Sequence, residues 1–191
     1  LVEMILNDVD LAKTQRLRVA EIGTGSGAIG VSLAAFWEQK GRLFQMVATD
    51  ISPKALAMAR ENFQRHVSTK THASAVELRQ ADLLTGFSAD EKFDAIISNL
   101  PYIPSDRLAE LDESVREFEP HLALDGGADG LKLIARLLHQ AQRHLAPHGK
   151  IFLEIDDTHT KKAIEKTTSG LSCQTFTDQF GKNRFALCSL A

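Results

Sequence analysis

Four residues carry the most chemical information in this chain: Asn99, Leu100, Pro101 and Tyr102. They follow the apolar, β-branched run Phe93-Asp94-Ala95-Ile96-Ile97-Ser98, which reads as a buried strand. Pro101 fixes its own φ and pushes Leu100 towards extended conformations. The Leu100 carbonyl is thereby aimed beside the side-chain oxygen of Asn99. Two acceptors side by side can grip both hydrogens of an –NH2 group. Tyr102, the only tyrosine of the chain, can lie flat against a planar group. The tetrad suits a planar amide or amino-base nitrogen, and methyl transfer is one reaction that needs such a nitrogen. A plain loop turned by a proline is the alternative that this tetrad leaves open by itself.

The elements before the tetrad supply a second feature. Leu17 to Ile22 reads as a strand that runs into Gly23-Thr24-Gly25-Ser26-Gly27, followed by a helical stretch from Ala28 to about Lys40. Glycines let a backbone turn tightly and approach a ligand, and a helix start offers free N–H groups. Leu43 to Ala48 reads as the next strand and ends in Thr49-Asp50. An acid about 20 residues past a glycine loop can accept hydrogen bonds from ribose hydroxyls. Gly25-Ser26-Gly27-Ala28-Ile29-Gly30 also satisfies the dinucleotide pattern G-x-G-x-x-G. The earlier start of the cluster at Gly23, after Glu21, favours S-adenosylmethionine over a nicotinamide cofactor. Asp82, after the strand-like Val76 to Gln80, suits a contact to adenine.

Strand-like and helical runs alternate along most of the chain. Ser52-Pro53 is a helix start, with Ser as N-cap and Pro in the first turn. The helix it opens places Leu56, Ala59, Phe63 and Val67 on one stripe. Gly130 to His144 does the same with Leu131, Ile134, Leu138, Ala141 and Leu145, and Pro147-His148-Gly149 breaks it. Lys150 to Ile155 reads as a strand, and Thr158 to about Thr168 as a helix. Leu171 to Thr177 and Arg184 to Ser189 read as a hairpin turned by Asp178 to Asn183. This order predicts an α/β fold: a mostly parallel sheet with helices on both faces and a C-terminal antiparallel hairpin. Ligands of such sheets bind at the carboxyl ends of the strands. The glycine loop, Asp50, Asp82 and Asn99 all follow strands at that end, so one cofactor could touch all four, Asn99 included.

Composition narrows the function class. The 191 residues suffice for one domain with a full core, and 43% hydrophobic with 25% charged residues is ordinary for a globular protein. No apolar run approaches the ~20 residues of a membrane span. A net charge of −3 argues against an electrostatic grip on a long nucleic acid. Cys173 and Cys188, without a signal-peptide pattern, read as two reduced, partly buried thiols. The seven histidines show no metal-ligand spacing and read as solvated or structural. Leu1 to Leu6 looks like the middle of an amphipathic helix without an N-cap, so the chain is expected to be a fragment.

On these residues the chain resembles the Rossmann-like class I S-adenosylmethionine-dependent methyltransferases. Within them it is similar to the HemK-type peptide chain release factor glutamine methyltransferases. The stretches that carry the resemblance are Glu21 to Gly30, Thr49 to Leu56 and Asn99 to Pro104. The most specific are Val115-Arg116, Glu119-Pro120, Ala123-Leu124, Gly126-Gly127 and Asp129-Gly130-Leu131. The resemblance implies a single methyltransferase domain over 1–191, without the family's N-terminal helical domain that helps grip the substrate. It implies that Gly23, Thr24, Gly25, Ser26 and Gly27 line the methionine part of S-adenosyl-L-methionine. Asp50 and Ile51 would hold the ribose side, and Asp82 with Leu83 would border the adenine. Asn99 and the Leu100 carbonyl would bind a substrate glutamine amide, with Pro101 holding the turn and Tyr102 packing on the amide.

The implied substrate is the glutamine of a Gly-Gly-Gln loop in peptide chain release factors, which places the enzyme in translation termination and the cytoplasm. Neither a membrane nor direct nucleic-acid binding is expected. A ribosomal-protein glutamine, or an amino group on a nucleic-acid base, is the alternative substrate. A nicotinamide-binding or non-catalytic nucleotide-binding domain is the alternative class. The chain departs from the family at Leu100, where the family has Pro, at Glu21, where it usually has Asp, and at Asp156, where it has Gly. The acidic stretch of Glu119, Asp125 and Asp129 reads equally as a lid over the substrate or as a solvated, turn-rich loop.

Overall fold

The computed structural model describes residues 1–8, 11, 13–68, 74–113 and 123–191. Seven strands form one sheet in the order β3-β2-β1-β4-β5-β7-β6. They are β1 (Arg16–Ile22), β2 (Leu43–Asp50), β3 (Ala75–Gln80), β4 (Phe93–Ser98), β5 (Leu145–Glu154), β6 (Leu171–Thr177) and β7 (Asn183–Leu190). The first five are parallel, and β7 runs antiparallel to both β5 and β6. The described helices are α1 (Val2–Leu6), α2 (Ala28–Gln39), α3 (Pro53–His66), α4 (Lys132–Ala141) and α5 (Lys161–Lys166), with a 3-10 helix at Ser105–Glu110.

The chain steps from β1 outward to β2 and β3, then returns to place β4 on the other side of β1. This reversal opens a crevice at the carboxyl ends of β1 and β4, where such sheets bind ligands. Alternate residues of each central strand serve two cores. Ala20, Ile22 and Ile96 face the layer of Ile134, Leu138 and Ile164, while Leu17, Val19 and Ile97 face Leu33, Trp37 and Phe63. The stripes Leu56-Ala59-Phe63-Val67 and Leu131-Ile134-Leu138-Ala141-Leu145 are both buried, as their spacing predicts. Ser52 Oγ accepts from Ala55 N–H at 3.3 Å, with Pro53 opening the helix.

Several boundaries differ from the sequence reading. Pro147-His148-Gly149 does not end an element before a strand at Lys150; β5 already begins at Leu145. The strand pairs Phe93 with Leu145 and then Ala95 with Lys150, so the extra residues fold out as a bulge. His148 takes φ 64° there, and a Cβ on Gly149 would lie 2.6 Å from the Phe93 carbonyl oxygen. The helices expected at 130–144 and 158–168 are shorter, at Lys132–Ala141 and Lys161–Lys166. The expectation of two reduced thiols is corrected: Cys173 and Cys188 sit directly opposite each other on β6 and β7 and are joined as a disulfide. Their register, not their spacing in the chain, brings them together. Among the described residues, no helix is long and apolar enough to cross a membrane.

Candidate active site

The glycine loop leaves β1 in a conformation that only glycine adopts cheaply. Gly23, Gly25 and Gly27 all have positive φ, at 72°, 55° and 80°. Beneath the loop Glu21 is buried. Its Oε2 accepts from Thr24 Oγ1 at 2.7 Å, and its Oε1 accepts from Gly30 N–H at 3.1 Å. Burial, reinforced by the charge of Asp50, pushes the Glu21 carboxyl up to about 7. A Cβ on Gly30 would stand 2.3 Å from Glu21 Oε2, so this glycine serves packing of α2 on the sheet. Asn62 of α3 donates to the Ser26 carbonyl at 2.8 Å, and Thr24 N–H donates to Thr49 O at 2.8 Å.

Asp50, at the end of β2, faces this loop. Its Oδ2 accepts from Gly25 N–H at 2.9 Å and its Oδ1 from Ser52 N–H at 2.8 Å. A Cβ on Gly25 would meet nothing within 4 Å, so the loop opens to free space beside the Asp50 carboxylate. Ile51 next to it is exposed. This set of a glycine backbone, an oriented carboxylate and an exposed apolar side chain fits a nucleoside with a polar tail. Asp82 lies at the same edge, but its Oδ2 accepts from Arg136 at 2.7 Å. Leu83 follows in a positive-φ conformation (55°) and is buried.

The tetrad ends β4, the neighbour of β1. Ser98 Oγ donates to Ile22 O at 2.6 Å, tying the two strand ends together. Asn99 is exposed, and its side chain has no hydrogen-bond partner among the described residues. Leu100 is buried, and its Cδ2 lies 3.0 Å from the place of a Cβ on Gly23. Tyr102 is half-buried. Its hydroxyl donates to Glu154 Oε1 at 3.0 Å and accepts from Arg184 Nη1 at 3.4 Å. Burial and the Glu154 carboxylate push the phenol up to about 12, so it remains a donor at neutral pH.

The Gly126-Gly127…Gly130 segment braces the tetrad. Ile103 and Asp125 form a parallel bridge, and Gly126 N–H donates to Ile103 O at 2.9 Å. A Cβ on Gly130 would lie 2.2 Å from Tyr102 O, and one on Gly126 would lie 2.8 Å from Tyr102 C. Asp125 Oδ1 accepts from Ser105 Oγ and Gly127 N–H, and Asp129 Oδ1 accepts from Leu131 N–H. These two acids therefore build turns. Val115, Arg116, Glu119 and Pro120 lie outside the described residues.

Asp156 and His159 complete the brace. Asp156 accepts from Thr158 and, at 2.7 Å, from Arg107 of the 3-10 helix. Burial opposes its ionised form, but the Thr158 hydrogen bonds and the Arg107 charge outweigh it and lower its pKa. His159 Nδ1 accepts from Asp156 N–H, so Nε2 is the nitrogen that donates to Asp129 O at 2.9 Å.

Asn99 borders a cavity of about 540 Å³ at the carboxyl edge of the sheet. Ile29, Glu154, Phe176 and Phe185 line it with Asn99, and α1 walls one side. Sequence reasoning did not single out Glu154, Arg184, Phe176 or Phe185. Glu154 is the acid at a strand's carboxyl end, the same signal that marks Asp50. The two phenylalanines and Arg184 come from the hairpin, whose pairing with β5 brings them to this edge.

A methyltransferase-domain profile matches residues 13–181. The chain belongs to the methyltransferase-domain family. This methyltransferase domain is 39% identical over 188 residues to a release factor glutamine methyltransferase of Lactococcus lactis subsp. lactis, covering 96% of this chain and 64% of that protein. It is 37% identical over 191 residues to a protein of the same description from Streptococcus pneumoniae, covering 98% and 63%. The chain thus spans less than two thirds of the length of these relatives. A ribosomal protein L11 methylase structure from Lactobacillus delbrueckii subsp. bulgaricus shares the fold, with TM-score 0.64 and 22% identity over 99% of this chain and 77% of that one. The family leaves the nicotinamide alternative without support.

Proposed function

We propose that this methyltransferase domain transfers a methyl group to the side-chain amide nitrogen of the glutamine in the Gly-Gly-Gln motif of peptide chain release factors, using S-adenosyl-L-methionine. The observation that carries the reading is Asn99: an exposed amide with no partner among the described residues, on the rim of a cavity and one residue from the Leu100–Gly23 contact. The release factor substrate rests on the names of relatives that are longer than this chain. In this reading residues 1–191 act as one catalytic domain in the cytoplasm.

The residues divide the work. Gly23, Thr24, Gly25, Ser26 and Gly27 hold the methionine part of the cofactor. Asp50 and Ile51 hold the ribose side, and Asp82 with Leu83 border the adenine. When bound, the cofactor would supply an electrophilic methyl on a sulfonium sulfur, with S-adenosylhomocysteine as the leaving group. Asn99 Oδ1 and the Leu100 carbonyl accept the two amide N–H hydrogens and turn the nitrogen lone pair towards the glycine loop. Pro101 holds that carbonyl in place, and Tyr102 walls the planar amide. The nitrogen loses one proton to solvent after transfer, so no strong base is required beforehand. Alignment supplies the rate, and orientation can contribute about 7–11 kcal/mol in the best cases.

The test is incubation with tritiated S-adenosylmethionine and a bacterial release factor. Label on the Gly-Gly-Gln glutamine, absent when that residue is replaced by glutamate, is the expected result. Label only on a ribosomal protein or on nucleic acid would overturn the substrate assignment.

A further inference from the structure

Among the described residues, the cavity beside Asn99 is lined by acceptors and apolar side chains and by no lysine, arginine or histidine side chain. Its charged side chains among the described residues are Glu154 and Glu3, with the Leu1 α-amino group near both, and Ile29, Phe176 and Phe185 supply apolar walls. Glu154 is held in place. One oxygen, Oε1, accepts from Tyr102 O–H at 3.0 Å, and that hydroxyl is itself fixed by Arg184 at 3.4 Å. The other oxygen has no hydrogen-bond partner among the described residues. Tyr102 cannot drift, because Gly126 and Gly130 close on its main chain. Arg184 is in turn paired with Asp178 of the hairpin turn at 3.8 Å. A carboxylate is therefore presented rigidly to the cavity where an amide side chain would enter.

We propose that Glu154 is a specificity-determining residue that makes the site admit a side-chain amide and reject a side-chain carboxylate. Glutamine and glutamate have nearly the same shape, so an apolar slot cannot separate them. Asn99 Oδ1 and the Leu100 carbonyl favour a donor, yet Asn99 could rotate its own NH2 towards an anion. Glu154 cannot reverse in this way, because an ionised carboxylate only accepts. Like charge in a partly desolvated cavity is costly, and negative discrimination of this kind is how closely similar ligands are separated.

The inference rests on the cavity being the seat of the target side chain, and the experiment separates it from the choice of protein substrate. Binding of two short peptides, acetyl-Gly-Gly-Gln-amide and acetyl-Gly-Gly-Glu-amide, is measured by calorimetry with S-adenosylhomocysteine present at pH 7. The wild-type domain is expected to bind the amide peptide at least tenfold more tightly. Glu154→Gln keeps an oxygen for Tyr102 but removes the charge, and should let the acid peptide gain at least fivefold. Glu154→Asp keeps the charge and should keep the rejection. S-adenosylhomocysteine binding by each variant reports on its folding. An acid peptide that gains nothing in Glu154→Gln would overturn the proposal, as would failure of both peptides to bind the wild-type domain. Loss of release factor labelling with the peptide discrimination intact would count against the release factor alone.

Discussion

Leu100 packs onto Gly23: its Cδ2 lies 3.0 Å from where a Cβ on that glycine would stand. The turn that ends β1 and the turn that ends β4 are thus in direct contact at the point where the strand order reverses. The residue pairing follows from parallel β1 and β4 in register, with Ile22 opposite Ser98. A loop suited to a nucleoside and a tetrad suited to an –NH2 group are consequently held at a fixed separation by van der Waals contact.

Gly23→Ala tests that contact. The new methyl must accept φ near 72° and press on Leu100. Left-handed strain costs about 1–2 kcal/mol. Thermal unfolding should show that loss, and S-adenosylhomocysteine affinity by calorimetry should fall at least tenfold. Unchanged affinity would detach Gly23 from the cofactor site.

Gly130→Ala tests the brace behind the tetrad. Its Cβ would stand 2.2 Å from the Tyr102 carbonyl oxygen, which is backbone and cannot swing aside. With left-handed strain added, a cost of about 3 kcal/mol is expected, or a fall in Tm of roughly 6–12 °C.

Tyr102→Phe removes the hydroxyl between Arg184 and Glu154 and leaves the ring. A lost hydrogen bond to a charged group is worth about 1.5–3 kcal/mol. Turnover should fall roughly tenfold or more, with S-adenosylhomocysteine affinity within threefold of wild type.

Glu21 gives the fold a pH signature. Its carboxyl is raised from 4.5 to about 7, so the folded state holds the proton more tightly than the unfolded chain. The contribution to stability is full below pH 4.5 and is lost as pH rises through about 7. A loss of about 3 kcal/mol is the upper bound. Glu21→Gln can still meet Gly30 N–H with its oxygen and Thr24 Oγ1 with its amide. It should flatten the urea-unfolding profile between those pH values, whereas an unchanged slope would mean that Glu21 does not titrate there.

The elements of this fold were legible where one period served one purpose. The Leu56-Ala59-Phe63-Val67 stripe is buried along one side of its helix, and the β4 run is buried on both faces of the sheet, so a helical stripe and a continuous apolar run each reflect burial directly. Pro147-His148-Gly149 looked like an ending because a bulge inside a strand uses the same residue types as a turn. The glycine loop, Asp50 and Asn99 could be placed together because each follows a strand at its carboxyl end. The Glu154–Tyr102–Arg184 chain could not, since it joins β5, a loop and β7 through hydrogen bonds that leave no spacing in the sequence. The same holds for the Cys173–Cys188 pairing, which depends on the β6–β7 register.

The most direct test of the account is Asn99→Ala, assayed for single-turnover methyl transfer to a release factor and for S-adenosylhomocysteine binding. Asn99 is exposed and lacks a partner among the described residues, so its loss should cost little stability. Turnover should fall by about a hundredfold to a thousandfold, as when a positioned polar group is removed from the reacting centre, while the dissociation constant changes less than threefold. Near-normal turnover in Asn99→Ala would contradict the claim that this amide grips the nitrogen to be methylated.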